Sequence, residues 1–118
     1  MTDETFHNSL KRLMKEYAHL IYKISKNFPR KELFGISSQI RRSSLSVALN
    51  YVEGYARGRI KENKKFLDIS YASLKEAEFT LDFAKEEGFE MNQNEYNHAK
   101  SLSDKIGGML WSTKENMK

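Results

Sequence analysis

Apolar residues recur along this chain at steps of three and four, the spacing of one face of an α-helix. In residues 3–27 the apolar face consists of Phe6, Leu10, Leu13, Tyr17, Leu20, Ile21 and Ile24. Residues 37–55, 61–87 and 94–115 show the same periodicity. The pattern predicts four amphipathic helices, each with one face toward a shared core.

Residues that start or end helices lie near the ends of these segments. Pro29 disfavours a helical conformation in the residue before it, so the first helix should end near residue 27. The expected N-terminal caps of the first, second and fourth helices are Thr2 or Asp3, Ser37 and Asn94. Local signals and periodicity therefore agree on where the helices lie.

The connections between the helices are short. Gly54 and Gly58 mark a break between the second and third helices. Short connections force successive helices to run antiparallel, and 118 residues are too few for two independent cores. The sequence therefore predicts an all-α protein, a single-domain antiparallel up-down-up-down four-helix bundle over residues 1–118.

The second helix has two apolar lines. The first consists of Ile36, Ile40, Val47 and Tyr51, and the second of Leu45, Leu49 and Val52. So wide an apolar arc predicts either the most buried helix of the bundle or a helix that faces both the core and a neighbouring subunit.

A polar line runs beside these two apolar lines. Its members follow one another at steps of three and four and continue to Arg57: Gln39, Arg42, Ser46, Asn50 and Glu53. Arg42 and Glu53 are roughly 16 Å apart along the helix, too far for a direct ion pair. The line is either a solvated face, a network that sets helix register and subunit contacts, or a phosphate-binding groove with Arg42 and Arg57 as ligands.

Composition narrows the class of protein. No apolar run of about 18 residues occurs, so no membrane span is expected. Residues 1–10 are polar and lack the apolar centre of a secretory signal, so the expected compartment is the cytoplasm. Cysteine is absent, which excludes disulfides and thiolate chemistry.

Charge is unevenly distributed along the chain, whose net charge is +4. Residues 1–65 carry 14 Lys or Arg against 6 Asp or Glu, and residues 66–118 carry 6 against 10. Either opposite faces neutralise each other in an oligomer, or the basic part binds a polyanion in a salt-sensitive manner that is largely independent of sequence. The candidate phosphate contacts are Arg41, Arg42, Arg57, Arg59, Lys61, Lys64 and Lys65.

The sequence contains no arrangement of residues typical of an enzyme. His7, His19 and His98 are far apart and share no spacing with carboxylates that would suggest a metal site. The serines that follow Arg42 have no histidine or lysine base placed to activate them, and no Gly-rich phosphate loop occurs. We therefore expect a non-enzymatic protein that holds neither a metal nor a cofactor.

The second helix and the segment before it resemble a known family. Residues 28–57, FPRKELFGISSQIRRSSLSVALNYVEGYAR, contain Phe-Pro, then Gln-x-x-Arg, then Ser-x-x-x-Asn-x-x-Glu-Gly. These positions are Phe28, Pro29, Gln39, Arg42, Ser46, Asn50, Glu53 and Gly54. The pattern resembles that of the 23S rRNA intervening-sequence (S23) family of four-helix bundle proteins.

The resemblance continues into the third helix, in FLDISYASLKEAEFTL. Residues that match a Phe-Leu…Gly-Ser-Leu-x-Glu pattern are Phe66, Leu67, Ser73, Leu74 and Glu76. Ala72 replaces the usual glycine, and Tyr51 and Val52 replace smaller residues of the family pattern. The specific signal is confined to residues 28–81.

The resemblance implies a ring-shaped homopentamer of bundles from a bacterium, often encoded within an intervening sequence of an rRNA gene. A related branch, the accessory variability determinants of diversity-generating retroelements, binds nucleic acid and partners a reverse transcriptase. No enzymatic activity is implied.

Two functional hypotheses remain. In the first, a homo-oligomeric accessory protein, pentameric as the resemblance implies, binds RNA or DNA through its basic residues while the polar line organises helix packing. In the second, the chain is a protein-binding scaffold whose basic and acidic faces serve subunit assembly, with no nucleic-acid role. A salt-dependent shift with generic RNA or DNA separates them.

Overall fold

The computed structural model describes residues 3–117, with side chains from Thr5 onward. Four α-helices follow one another: α1 (Asp3–Ser25), α2 (Ile36–Arg57), α3 (Ile60–Glu86) and α4 (Gln93–Glu115). A short 3-10 helix, Arg30–Glu32, lies between the first two. The predicted all-α fold is confirmed, and every helix end lies within two residues of its predicted position. No helix in the described range is long and apolar enough to cross a membrane.

Successive helices pack side by side in opposite directions. His7 near the start of α1 contacts Tyr51 near the end of α2, and Arg42 near the start of α2 contacts Glu76 in the second half of α3. The fourth helix packs on both α3 and α1, so the four helices close into a bundle. These contacts give the up-down-up-down arrangement expected from the short connections.

One face of each helix forms the core. The fully buried side chains include Leu10, Tyr17 and Ile21 of α1, Ile40 and Val47 of α2, Leu74 of α3 and Ile106 of α4. The second apolar line of α2 remains outside this core, since Leu45, Leu49 and Val52 are 40%, 58% and 50% exposed. The bundle therefore covers only one of the two apolar lines of α2, and the second line is left on its outside.

Small residues let α2 and α3 approach closely. The hydroxyl of Ser70 donates to the carbonyl of Val47 across the two helices at 2.6 Å. A Cβ on Gly54 would lie 2.7 Å from Oδ1 of Asn63 and 2.9 Å from Cβ of Phe66. The prediction of a break at Gly54 was wrong, because this glycine lies buried inside α2, in close contact with α3.

The turn between α2 and α3 begins after that close approach. Gly58, with a φ of 70°, ends α2 in the left-handed conformation that glycine adopts readily. Arg59 is the next residue, and α3 starts at Ile60. The two helices are therefore joined by two residues.

Two of the expected helix caps fall at other residues. Ser37 is buried inside α2, and the first amide of that helix, Ile36, instead donates to the carboxylate of Glu32 at 3.3 Å. The 3-10 turn brings Glu32 to the start of α2, so the helix begins one residue earlier than predicted. At α4 the cap is Asn92, whose side chain accepts from the amide of Glu95, rather than Asn94.

The first helix ends sooner than periodicity indicated. After Ser25 the amides of Lys26, Asn27 and Phe28 bond to carbonyls three residues back, so the chain tightens into turns ahead of Pro29. The cap expected at Thr2 or Asp3 lies outside the described side chains.

Candidate nucleic-acid interface

The structure divides the seven candidate phosphate contacts into two groups. Arg41 and Arg42 lie near the start of α2. The other five, Arg57, Arg59, Lys61, Lys64 and Lys65, surround the turn between α2 and α3. Along the helix Arg42 and Arg57 are about 22 Å apart, so the two groups lie toward opposite ends of the bundle.

The first group is engaged in contacts between helices. Nε of Arg41 donates to Oγ of Ser25 at 2.7 Å, and its guanidinium lies 5.3 Å from the ring centroid of Tyr22. Arg42 forms an ion pair of 3.1 Å with Glu76. The two arginines therefore connect α2 to its neighbours, Arg41 to α1 and Arg42 to α3.

The arginines of the second group form local ion pairs, within α2 and across the turn, rather than ion pairs between helices. Arg57 pairs with Glu53 at 2.9 Å and lies over the ring of Phe66, and Arg59 approaches Glu62 at 3.6 Å. The hydrogen bond with Glu53 raises the pKa of Arg57, so this guanidinium stays charged at every relevant pH. Exposed ion pairs of this kind are weak, and a phosphate can replace the carboxylate partner.

The lysines of the second group carry uncompensated charge. Within the described chain, Lys61, Lys64 and Lys65 form no ion pair. They follow the start of α3, where the N-cap residue Arg59 provides no side-chain hydrogen bond to the free amides. Free amides and the positive end of the helix dipole favour an anion at the same place. This end of the bundle therefore combines free helix amides with lysines that have no ion-pair partner in the described chain.

The polar line of α2 lies along the seam between α2 and α3. At one end Gln39 and Arg42 both donate to the carboxylate of Glu76, at 3.4 Å and 3.1 Å. In the middle Ser46 accepts from the hydroxyl of Ser73 at 3.0 Å and from Nδ2 of Asn50 at 2.7 Å. These bonds favour the interpretation of the line as a packing network over a phosphate groove.

An aromatic site on the opposite side of α3 was missed by the sequence analysis. The rings of Tyr71 and Trp111 lie 6.1 Å apart between their centroids, in a groove between α3 and α4. A cavity of about 60 Å³ in this groove is lined by these two residues and by Leu67, Asp68, Leu110 and Lys114. The sequence contained one indication of this site: Trp111 is the single tryptophan, and it follows the last residue of the apolar face of α4.

The histidines do not form a cluster. His7 contacts Tyr51, whereas His98 lies 3.1 Å from a carboxylate oxygen of Glu16. Among residues 3–117, no group of three His, Cys, Asp or Glu side chains is placed to hold a metal ion.

Residues 8–112 match a family model described as 23S rRNA-intervening sequence protein. The chain belongs to this family. The predicted family is thereby confirmed, and the match spans most of α1 to α4 of this intervening-sequence protein. No curated protein matches the chain.

A solved structure shares the fold of this intervening-sequence protein. It is the crystal structure, at 1.70 Å resolution, of a protein with unknown function from the S23 ribosomal protein family of Bacteroides thetaiotaomicron VPI-5482. The TM-score is 0.84, and the two sequences are 22% identical over 94% of this chain and 99% of the other. At that identity the likeness shows a common fold alone.

Proposed function

We propose that this intervening-sequence protein is a non-enzymatic, homo-oligomeric accessory protein that binds RNA or DNA at the turn between α2 and α3. The observation that carries the proposal is the group of lysines without ion pairs, Lys61, Lys64 and Lys65, beside the uncapped start of α3. Contacts of this kind are made to phosphates, so the binding should depend strongly on salt and little on base sequence.

The exposed apolar line of α2 supports assembly of several copies. Leu45, Leu49 and Val52 are spaced by four and three residues, so they form one continuous line on the outside of the bundle. Scattered exposed apolar residues are ordinary, whereas an ordered line of large ones is typical of a contact surface. A second copy would cover it, and a pentamer is the state that the family resemblance implies.

Assembly would strengthen a modest phosphate site. Each copy supplies one basic turn, and a strand that spans several turns binds them with a high effective concentration. Affinity then exceeds that of a single turn without any new contact.

The second candidate function is a scaffold without nucleic acid. It is favoured by the acidic residues near the end of α3 and after it, among them Glu86, Glu87 and Glu90, which are exposed opposite to the basic turn. In this case basic and acidic surfaces of neighbouring copies neutralise each other, and no free positive surface remains.

Binding of labelled generic RNA and DNA, measured by fluorescence anisotropy over a series of salt concentrations, tests the proposal. We expect binding at low salt, with log K falling linearly against log salt. The combined variant Arg57→Glu, Arg59→Glu and Lys61→Glu should abolish it. A control with the same net charge, Lys26→Glu, Lys31→Glu and Lys105→Glu, changes exposed lysines elsewhere and should retain most binding.

Two results would count against the phosphate site. No binding at low salt would favour the scaffold. Equal losses in the two triple variants would show that only net charge matters, and not the turn between α2 and α3.

A further inference from the structure

We propose that Trp111 and Tyr71 form a base-stacking platform, so that the ligand of the basic turn is a single strand of nucleic acid with unpaired bases. This inference rests on the proposed function and adds the strand state of the ligand. It follows from the exposure of the tryptophan and from the placement of lysines on the same face of α3.

Trp111 presents a large flat surface to solvent. Its side chain is 55% exposed, and the ring of Tyr71 beside it is half-buried and inclined by 52°. The cavity between them is too small to enclose a nucleobase. A base would therefore lie on the outer face of the indole, with Tyr71 supporting the ring from the side.

A line of residues on α3 connects this platform to the basic turn. Its members are spaced by three and four residues and so share one face of the helix: Lys61, Lys64, Asp68, Tyr71 and Lys75. Lys64 precedes Tyr71 by about 10 Å along the helix axis. The two lysines without ion pairs are thus in line with the aromatic pair, and one strand can place phosphates at the lysines and a base on Trp111.

The one acidic group in this line does not oppose such a strand. Asp68 is paired with Lys114 of α4 at 2.6 Å, so its charge is compensated next to the platform. On the other side Nζ of Lys75 lies 5.3 Å from the ring centroid of Tyr71. Lys75 is also ion-paired with Glu78 at 3.4 Å, so the uncompensated positive charge of this line lies on the Lys64 side of the aromatic pair.

Stacking separates single strands from duplexes. In a duplex both faces of each base are covered by neighbouring bases, so an indole on the protein surface cannot reach them. An unpaired base exposes its faces and stacks on an aromatic side chain with little dependence on sequence. A duplex can still contact the lysines through its phosphates, but it gains nothing from Trp111.

The fluorescence of Trp111 provides a direct test, because it is the single tryptophan of the chain. Titration with oligo(dT) at low salt should quench this emission, and a hairpin duplex of equal phosphate content should leave it nearly unchanged. In an anisotropy assay, Trp111→Leu should weaken binding of oligo(dT) by about five- to one-hundred-fold and leave duplex binding unchanged.

A matched control removes another exposed aromatic ring of the bundle. Phe79 is 74% exposed near the opposite end of α3, and Phe79→Leu should leave the binding of both ligands unchanged. Circular dichroism melting of both variants shows whether each retains the fold, as expected for changes at exposed positions.

The possible outcomes separate this inference from the function on which it rests. Binding of oligo(dT) without quenching, or with equal affinity for Trp111→Leu, overturns the stacking platform and leaves the phosphate site standing. Equal quenching by duplex and single strand overturns the strand preference. Absence of binding by either ligand at low salt overturns the proposed function itself.

Discussion

The hydroxyl of Tyr51 lies 2.6 Å from Nδ1 of His7, and this hydrogen bond joins the end of α2 to the start of α1. Burial, and secondarily the charge of Lys11, lowers the pKa of His7, so its imidazole is neutral near neutral pH. Burial raises the pKa of Tyr51, which keeps its hydroxyl protonated. The direction of the bond is set by which nitrogen of the neutral imidazole carries its proton.

The burial of His7 should make stability depend on pH. Above the ordinary histidine pKa of 6.5, folded and unfolded chains both hold a neutral His7. As the pH falls through 6.5 toward the lowered folded-state pKa, the unfolded chain binds more protons, so the free energy of unfolding decreases. Urea unfolding at a series of pH values between 7.5 and 5 measures this decrease.

Two variants isolate the contribution of His7. His7→Phe leaves the hydroxyl of Tyr51 without its hydrogen-bond partner, so it should cost about 1 kcal/mol near neutral pH and reduce the pH dependence. His19→Gln, at an exposed position of the same helix, should keep the wild-type profile. An unchanged profile in His7→Phe would assign the pH dependence to other groups.

Because α2 and α3 are in close contact at Gly54, replacing this helical glycine by alanine should destabilise the bundle, whereas the same change elsewhere in a helix usually stabilises it. Gly54→Ala should destabilise the bundle by about 1–3 kcal/mol, because its Cβ would meet Asn63 and Phe66 at distances that require the helices to separate. Gly108 of α4 has no atom near its Cβ position, so Gly108→Ala should stabilise by roughly 0.5–1 kcal/mol. Thermal melting of the two variants should thus give shifts of opposite sign.

The exposed line of α2 predicts a variant that dissociates the proposed assembly without unfolding the subunit. Leu49→Glu adds a charge at an exposed site, so the helical content and melting of a single bundle should change little. Sedimentation velocity should show a loss of assembled mass relative to wild type, whereas Ser101→Glu on α4 should not. A wild-type protein that sediments as a single bundle at micromolar concentration would contradict the assembly.

The two groups of basic residues should contribute differently to nucleic-acid binding. The double variant Lys61→Ala, Lys64→Ala should reduce the slope of log K against log salt for a single strand. The expected reduction is about 0.7 for each phosphate that the variant no longer neutralises. Arg42→Ala removes a residue already paired with Glu76, and it should leave that slope unchanged. Equal effects of the two changes would mean that both ends of α2 bind phosphate.

Periodicity was sufficient for the fold because four strong apolar faces admit few arrangements. The caps were less predictable, since Asn92 and Asn94 have the same capping chemistry and only the path of the chain decides which one meets a free amide. Glu32 caps α2 through a 3-10 turn, and no pattern in the sequence indicated that turn.

The sequence predicted which types of residue form the candidate site, but not which of those residues are free of contacts with other helices. Sequence identified the basic residues, but it could not separate Arg42, held by Glu76, from Lys64, which has no ion-pair partner in the described chain. That distinction depends on which residues of α3 face α2. Trp111 was missed for a related reason. Its ring lies next to the apolar face of α4, and its exposure depends on how closely α3 packs against that part of α4.

The turn between α2 and α3 consists of Gly58 and Arg59 alone, and this shortness limits the conformational entropy that the backbone loses when a ligand binds. A long loop would present its basic side chains on a mobile backbone and would lose conformational entropy when bound. Here the arginines and lysines project from the ends of two helices that are held together along their whole seam. The backbone beneath the positive surface is preorganised, so the conformational entropy lost on binding is mainly that of the side chains.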